Sequence, residues 1–357
     1  ATFDSNSNKV VIAYSDGPSG SDTSRAVVGT VSGTGISFGT PVVFESSEIK
    51  YTSVVFDSSN NKIVIAYSDS GNTEYGTAIV GTVSGTGISF GTAVVFESGN
   101  EGAIFTAAAF DTNSNKVVIA YRHKANSEYG TAIVGTVSGT GISFGTKVVF
   151  NSAESNYMTA TFDSTSNKVV IAYTDNGNSN YGTAIVGTVS GTNISFGTAA
   201  VFRASTSIYI SSSFDSDSNK VVIAYTDDSG KASAGTVSGT SISFASPVVF
   251  DSNNVIHTAS VFDSNSKKTV IAYRDLVNSQ YGTGIVFAPA FDNTVRGSTA
   301  SGSTAIIQAG GAVNTLQTGL TAGQQYFVQT DGTLGLTAGS LSVIAGTAVS
   351  ATDLIVK

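Results

Sequence analysis

The sequence has no cysteine, no tryptophan and few charged residues. Without cysteine, disulfide-stapled folds, thiol catalysis and Cys-ligated zinc are excluded. Charged residues make up 12% of the 357 residues, against about 25% in average soluble domains. No apolar run approaches the length of a membrane-spanning helix, about 18 residues, so membrane insertion is not expected. The net charge of −8 argues against nucleic acid as a partner, because phosphate binding requires a basic surface.

A long internal repeat dominates what is present. The segment FDSNSNKVVIAY recurs six times with small changes, ending at Tyr14, Tyr67, Tyr121, Tyr173, Tyr225 and Tyr273. A second segment, similar to GTVSGTGISFGT, follows the first five copies and begins at Gly29, Gly81, Gly135, Gly187 and Gly235. We number the copies repeats one to six. A period of this length determines the fold and therefore takes priority over local features.

Each complete repeat contains four β-rich runs, named A to D in chain order. In repeat two these are residues 51–56, 62–67, 75–83 and 88–96. The runs are apolar on both faces, as in a sheet packed between other sheets. This pattern predicts an all-β fold, a six-bladed β-propeller with four-stranded antiparallel blades. A flat β-solenoid is the alternative, although units of this length are long for one coil.

The ends of the repeat array are incomplete. Ala1 aligns with Val54, so most of the first A strand is missing, and repeat six loses its pattern after residues 282–291. We expect the ring to be closed either by residues near 290–296 or by a strand upstream of Ala1.

Length differences fall in only two of the four connections. The A-strand Phe and the B-strand Tyr are 11 residues apart in every repeat, as in Phe3 and Tyr14. The B–C and D–A connections vary instead, and B–C is four residues shorter in repeat five than in repeats two to four. In an up-and-down blade the B–C and D–A loops share one face, the variable face, and the A–B and C–D turns share the other, the uniform face. Variable loops on a fixed scaffold favour ligand binding on the variable face; drift of unconstrained loops is the alternative.

Two sets of side chains are candidates for that binding. The first is a ring five residues before each A-strand Phe. Its members are Tyr51, Phe105, Tyr157, Tyr209 and His257. Aromatic faces stack on sugars, although packing between blades is the competing interpretation. The second set consists of polar residues that begin the B–C loops, which are Asp16, Asp69, Arg122, His123, Asp175, Asp227, Arg274 and Asp275. Carboxylates and guanidinium groups bind hydroxyls in a bidentate manner, and Asp is also a common turn residue.

The sequence contains few residues in patterns typical of catalytic or metal sites. Asp4, Asn6 and Asn8 resemble the start of a calcium loop, but the glycine and the bidentate Glu of that motif are missing. An Asx-stabilised turn explains the pattern more simply. The two histidines, His123 and His257, lie three repeats apart, so a Ser-His-Asp triad is not expected. We predict no metal, no cofactor and no catalytic residue, and the sequence leaves a carboxylate pair for glycoside hydrolysis open.

The repeat stops near residue 296, and residues 297–357 form a second predicted domain. Short strands are expected around residues 305–308, 324–329, 341–349 and 353–357, with a hairpin turn at Asp331–Gly332. Residues 319–357 resemble a small β module of bacteriophage tail-fibre and other virion appendage proteins, in Gly319–Gly323, Tyr326–Val328 and Ala345–Thr352. The repeat FDSNSNKVVIAYSD likewise resembles β-propeller repeats of marine phage and bacterial surface proteins.

These resemblances imply an extracellular or virion-surface location, contact with other appendage subunits, and a homotrimer as the usual state of tail-fibre parts. The sequence therefore predicts a non-catalytic virion or cell-surface adhesin whose variable face binds a host-surface glycan or receptor. A glycan-degrading propeller enzyme and a structural decoration protein are the alternatives.

Overall fold

The computed structural model describes residues 1–16, 23–99 and 102–287. It also describes six short C-terminal pieces, which are 313–314, 321–322, 324–328, 334–336, 344–348 and 354–356. The described residues contain β-strands and two short 3-10 turns, and none of them forms an α-helix. The predicted all-β class is confirmed. No helix among the described residues could span a membrane.

The strands follow the repeats. Repeats one and two contain β1 (Thr2–Asp4), β2 (Lys9–Asp16), β3 (Thr23–Ser32), β4 (Gly35–Phe38), β5 (Val42–Glu45), β6 (Ile49–Asp57), β7 (Lys62–Asp69), β8 (Tyr75–Ser84), β9 (Gly87–Phe90) and β10 (Val94–Glu97). Repeats three and four contain β11 (Ala103–Asp111), β12 (Lys116–His123), β13 (Tyr129–Ser138), β14 (Gly141–Phe144), β15 (Val148–Asp163), β16 (Lys168–Asp175), β17 (Tyr181–Ser190), β18 (Asn193–Phe196) and β19 (Ala200–Thr206). Repeats five and six contain β20 (Ile208–Asp215), β21 (Lys220–Thr226), β22 (Gly230–Ser238), β23 (Ser241–Phe244), β24 (Val248–Asp251), β25 (Val255–Asp263), β26 (Lys268–Asp275) and β27 (Gly282–Phe287). The 3-10 turns are Ser70–Asn72 and Asn176–Asn178.

Within a repeat the strands form an antiparallel meander. In repeat two β6 pairs with β7 and β7 with β8, and the D run divides into β9 and β10, which both pair with β8. The division falls at Gly91, whose N–H still donates to the Val80 carbonyl oxygen at 2.9 Å. The predicted four-stranded blade therefore has five strands, because its outermost run is interrupted.

The predicted count of six separate blades is wrong. The described strands of the repeats form three five-stranded sheets, one nine-stranded sheet and one three-stranded sheet, which gives four blades of five strands or more. The nine-stranded sheet arises because β15 runs without a break from the D position of repeat three into the A position of repeat four. The three-stranded sheet is repeat six, where no D strand is described.

The sheets are arranged as a β-propeller, with the A strands of successive repeats against one another. The B strands lie in the middle and are buried on both faces; Ile63, Ile65 and Tyr67 have no exposed surface. Repeats one and six each bury only one face, so that Phe3 is 52% exposed and Val286 is 66% exposed. The core is therefore built between neighbouring repeats. The predicted closure by residues 290–296 lies outside the described residues.

The A–B connections are Asx turns, which confirms the simpler interpretation of Asp4, Asn6 and Asn8. The Asp4 Oδ1 atom accepts hydrogen bonds from the backbone N–H groups of Asn6 and Ser7 at 2.9 and 3.0 Å. Asn8 then takes a left-handed backbone conformation with φ of 55°, which Asn tolerates better than most residues. The repeated carboxylates of this motif thus stabilise the turns.

The chain divides into two compact units, Ala1–Pro289 and Ala290–Lys357. The second unit has an antiparallel sheet of its own. Its strands are β28 (Val313–Asn314), β29 (Gln325–Val328), β30 (Leu334–Gly335), β31 (Ile344–Ala348) and β32 (Leu354–Val356), in the order β28-β32-β31-β29-β30. Three of them fall within the predicted runs 324–329, 341–349 and 353–357. The predicted domain boundary, the strand at 305–308 and the turn at Asp331–Gly332 lie outside the described residues.

Candidate functional site

The register places the variable connections together. In repeat two, Ile49 at the start of β6 is opposite Asp69 at the end of β7, and Asp69 is opposite Tyr75 at the start of β8. The D–A and B–C loops therefore share one end of the sheet, the variable face. The A–B turn after Asp57 and the C–D turn after Ser84 lie at the other end.

The five predicted rings come together on the A strands and form what we call the aromatic ladder. From Tyr51 to Phe105, Tyr157, Tyr209 and His257 the successive ring centroids are 4.8, 5.2, 5.3 and 4.8 Å apart. The interplanar angles of 40° to 63° are those of tilted and edge-to-face pairs, which are favourable aromatic geometries. One ladder thus runs across five repeats.

Every residue of the ladder has a left-handed backbone conformation. Their φ angles lie between 48° and 55°, and each interrupts the pairing of its A strand with the B strand, as between Asn156 and Thr159. Such a conformation costs about 1–2 kcal/mol for a residue with a side chain and is uncommon for bulky residues. The bulge turns each ring out of the strand and towards its neighbours. Next to it, the Thr106 hydroxyl donates to the Tyr51 carbonyl oxygen of the preceding repeat.

This backbone conformation makes a testable prediction at Tyr157, whose φ is 48°. Both Tyr157→Ala and Tyr157→Gly remove the ring, but only glycine also relieves the left-handed strain. We expect the glycine variant to be more stable than the alanine variant by about 1 kcal/mol, the reverse of the usual order in a strand. Urea denaturation of the two variants measures the difference. Equal stability, or a more stable alanine variant, would show that the conformation is not strained.

The ladder remains accessible from the variable face. Tyr51 is 40% exposed, His257 at the other end is also exposed, and the three rings between them are partly buried. Among the described residues, no protein group accepts a hydrogen bond from the hydroxyls of Tyr51, Tyr157 or Tyr209, and none of these hydroxyls is a buried unpaired atom. The ladder is therefore both packed and open to a ligand, so neither of the two interpretations from sequence excludes the other.

Arg122 is held over the ladder. Its guanidinium carbon lies 5.3 Å from the centre of the Phe105 ring, a cation–π distance. The Arg122 Nη1 atom donates to Glu154 at 2.7 Å and to Asn156 at 2.6 Å. Of the predicted polar residues, Arg122 is thus the one that the structure brings to the rings.

The other predicted polar residues mostly hold their own loops. Asp69 and Asp175 accept the N–H groups of Gly71 and Gly177 at 3.0 Å, and Asp275 accepts that of Val277 at 2.9 Å. The remaining partners are Arg25 for Asp16, Arg203 and Lys231 for Asp227, Gln280 for Arg274, and Glu97 for His123. With Arg122 included, all eight predicted polar residues lie at the variable face, and each contacts described partners only in its own repeat or in the adjoining one.

Sequence reasoning missed a third set, one residue after each D-strand Phe. Its members are Glu45, Glu97, Asn151, Arg203 and Asp251. Glu45, Glu97 and Asp251 accept the hydroxyl of the next B-strand tyrosine, as in Tyr121 to Glu97 at 3.0 Å. Burial and these carboxylates raise the pKa of Tyr121 and Tyr67 well above its ordinary value. The sequence contained an indication of this set, because the position varies in charge directly after the almost constant Val-Val-Phe of the D strands.

We call Glu45, Glu97 and Asp251, which link one repeat to the tyrosine of the next, junction residues, and Glu97 has the largest number of polar partners among them. Only 2% of its surface is exposed, and its carboxylate lies 2.7 Å from Lys147 Nζ and 3.2 Å from His123 Nε2. Burial alone would raise the pKa of Glu97, but the hydrogen bonds from Lys147, Gly99 N–H and Tyr121 outweigh it and lower that pKa. Burial lowers the pKa of His123, with a contribution from Lys147 and against the attraction of Glu97.

The pKa of His123 predicts acid sensitivity. Because its folded pKa is below the ordinary value of about 6.5, the unfolded chain takes up the proton first. The stability contribution of neutral His123 is therefore full above pH 6.5 and is lost as the pH falls below it. We expect the melting temperature to fall between pH 7.5 and pH 5.5, and to fall less in His123→Gln. His257→Gln, at the exposed end of the ladder, is the matched control, and an unchanged slope in His123→Gln would contradict the prediction.

No group of three or more His, Cys, Asp or Glu side chains that could hold a metal ion occurs in the described part of the chain.

The protein resembles known proteins in structure but not in sequence. No family model and no curated protein matches the sequence. A mutant of AofleA from Arthrobotrys oligospora matches with a TM-score of 0.51 and 8% identity, over 78% of this chain and 83% of that chain. SapL1 lectin in complex with alpha methyl fucoside matches with a TM-score of 0.44 and 12% identity, over 78% and 92%. An exo-beta-1,3-galactanase from Phanerochaete chrysosporium matches with a TM-score of 0.44 and 6% identity, over 64% and 57%. At these identities the likeness concerns the fold alone.

Proposed function

We propose that this protein is a non-catalytic glycan-binding propeller, carried on a virion appendage or a cell surface as an adhesin, and that its variable face binds a host-surface glycan. The observation that carries the proposal is the aromatic ladder. Five repeats place a ring at the same position in a left-handed conformation that costs free energy. Packing alone would not require this cost, because an ordinary strand position buries an aromatic ring equally well. Strain of this kind is typical of functional sites.

The chemistry of the ladder suits a saccharide. Ring surfaces pack against the apolar faces of sugars, and tyrosine adds a hydroxyl at low entropic cost. Arg122 lies beside Phe105 and can donate to sugar hydroxyls in the same place. A row of similar sites would also bind a repetitive polymer with avidity, since each further contact is intramolecular.

The appendage role rests on the C-terminal unit and its resemblance to virion modules. Under this proposal the second unit attaches the propeller to other appendage subunits, in a homotrimer, and the protein is extracellular. The propeller then presents its variable face to the host.

A polysaccharide array tests the proposed function. The purified chain is applied to bacterial and algal polysaccharides with and without a chelator, and released sugars are measured in parallel. We expect binding without release and without an effect of the chelator. Released sugar would favour a glycan-degrading enzyme instead, and silence on every glycan would favour a structural decoration protein.

A further inference from the structure

The variable face holds a cleft at repeat five. The sequence of the loop that borders it differs from the corresponding loops of the other described repeats. Its volume is about 240 Å³, somewhat below the about 300–1,000 Å³ of pockets for drug-sized ligands. The walls are formed by Ser205 and Thr206 at the end of β19, Ile208 at the start of β20, Thr226 at the end of β21 with Asp227 and Asp228 after it, and Asn254 before β25. The cleft therefore has room for a single sugar unit.

The cleft coincides with the largest departure from the repeat. Seven residues, 69–75, lie between Ser68 and Gly76 in repeat two, whereas only three, 227–229, lie between Thr226 and Gly230 in repeat five. The shortened loop lacks the 3-10 turn of repeats two and four, and Ser229 stands where those repeats have a tyrosine. The missing loop residues leave this part of the variable face open.

The charged residues beside the cleft, Arg203 in repeat four and Lys231 in repeat five, also differ from their counterparts in repeats two and three. Arg203 replaces the Glu or Asn of repeats one to three, and Lys231 replaces the Thr found at position 77. Both cations pair with Asp227, whose side chain is fully buried. Asp227 is thereby neutralised and forms a fixed wall of the cleft.

Asp228 is the group left for a ligand. It is exposed, and it has a left-handed backbone conformation with φ of 74°. Within the part of the chain that the structure describes, no hydrogen bond or ion pair involves its carboxylate. A carboxylate accepts hydrogen bonds and donates none, so its natural partner here is a donor such as a pair of neighbouring sugar hydroxyls.

We propose that this cleft binds one neutral sugar unit, and that Asp228 accepts hydrogen bonds from two of its neighbouring hydroxyls. The proposal rests on the proposed function of glycan binding and adds the location and the charge class of one site. An acidic sugar is disfavoured, because Asp228 repels it and the nearby Arg203 and Lys231 are paired with Asp227. Ile208 provides an apolar surface for the ring, and Ser205, Thr206 and Asn254 provide further polar groups at the rim.

The test combines saturation-transfer NMR and isothermal titration calorimetry. The probes are the methyl glycosides of glucose, galactose, mannose and fucose, with the methyl glycoside of N-acetylneuraminic acid as the acidic probe. One variant is Asp228→Asn, which keeps a residue type that tolerates the left-handed conformation. A second variant replaces residues 227–229 by the sequence of residues 175–181, which retains an aspartate at the first position and restores the longer loop. Circular dichroism checks that each variant is folded.

Two controls match these variants. Placing the same seven residues at 275–281 of repeat six exchanges a loop of equal length away from the cleft. Asp217→Asn removes an exposed carboxylate from the uniform face. We expect at least one neutral glycoside to bind the wild type, with affinity about tenfold weaker in Asp228→Asn, abolished in the repeat-five graft and unchanged in both controls.

The outcomes separate this site from the proposed function. Neutral glycosides that bind the wild type and the repeat-five graft equally would overturn the site while leaving glycan binding intact. Preference for the acidic probe would overturn the neutral class. A wild type that binds polysaccharides on the array but no simple glycoside would overturn the single-unit site, whereas silence in both assays would overturn both proposals.

Discussion

Replacing Gly145 with alanine is expected to lower the free energy of unfolding by about 3 kcal/mol, at the upper end of the cost of overpacking. Gly145 lies where the D run of repeat three is interrupted, and a Cβ atom there would overlap the backbone carbonyl of Thr192 in the C–D turn of repeat four. Because the atoms that a Cβ would meet first belong to the Thr192 backbone, no flexible side chain can move aside to make room. Thermal or urea denaturation followed by circular dichroism measures the effect.

The same repeat offers a matched control for Gly145. At Gly141 an added Cβ would meet only the Ser138 carbonyl oxygen at 3.7 Å, an ordinary van der Waals distance, so Gly141→Ala should change stability by less than about 0.5 kcal/mol. Repeat five already has Ala245 at the position of Gly145, next to repeat six, where no C–D turn is described. Equal effects at Gly141 and Gly145 would mean that successive repeats do not pack through these turns.

Asp227→Asn is expected to destabilise the protein by about 2–3 kcal/mol. The side chain of Asp227 is fully buried between Arg203 and Lys231, and its removal leaves two cations without a counter-charge. Breaking a buried pair costs about 3–5 kcal/mol, and we reduce this because the Arg203 side chain is 35% exposed and solvent screens it.

The neighbouring repeat supplies the control for Asp227. Asp175 occupies the equivalent position but accepts hydrogen bonds from Gly177 N–H and the Asn151 amide, both at 3.0 Å. Asp175→Asn should therefore cost about 1 kcal/mol or less, as measured by urea denaturation. If the two variants were equally stable, the ion pairs of Asp227 would contribute nothing, and the fixed wall of the repeat-five cleft would have no support.

Much of the fold follows from the repeat itself. Spacing of the Val- and Ile-rich runs predicted the strands, the propeller and the segregation of variable loops, since all depend on periodicity and chain direction. The blade count did not follow, because residues 151–156 resemble the other D–A connections. They form one continuous strand only because Asn151 and Glu154 pair with β13 while Ser155 and Asn156 pair with β16.

The candidate site was predictable in part. The sequence placed Tyr51 and its equivalents on the A strands, where the structure has them, and their role in ligand binding stays a prediction. A single sequence does not indicate a left-handed backbone at an aromatic residue, because the bulge is set by pairing between strands. Asp69, Asp175 and Asp275 were proposed as ligand-binding residues, and the structure places them as acceptors for their own loops. The junction residues such as Glu97 were missed because their importance depends on the tyrosine of the following repeat.

Hydrogen–deuterium exchange in the presence and absence of the tightest-binding glycan from the array tests the central claim most directly. Binding at the variable face should protect peptides that contain the ladder and the B–C and D–A loops, in particular residues 154–158 and 205–210. The uniform-face turns at 58–61 and 112–115 should exchange at the same rate with and without glycan. Protection confined to those turns, or to the C-terminal unit, would contradict the account.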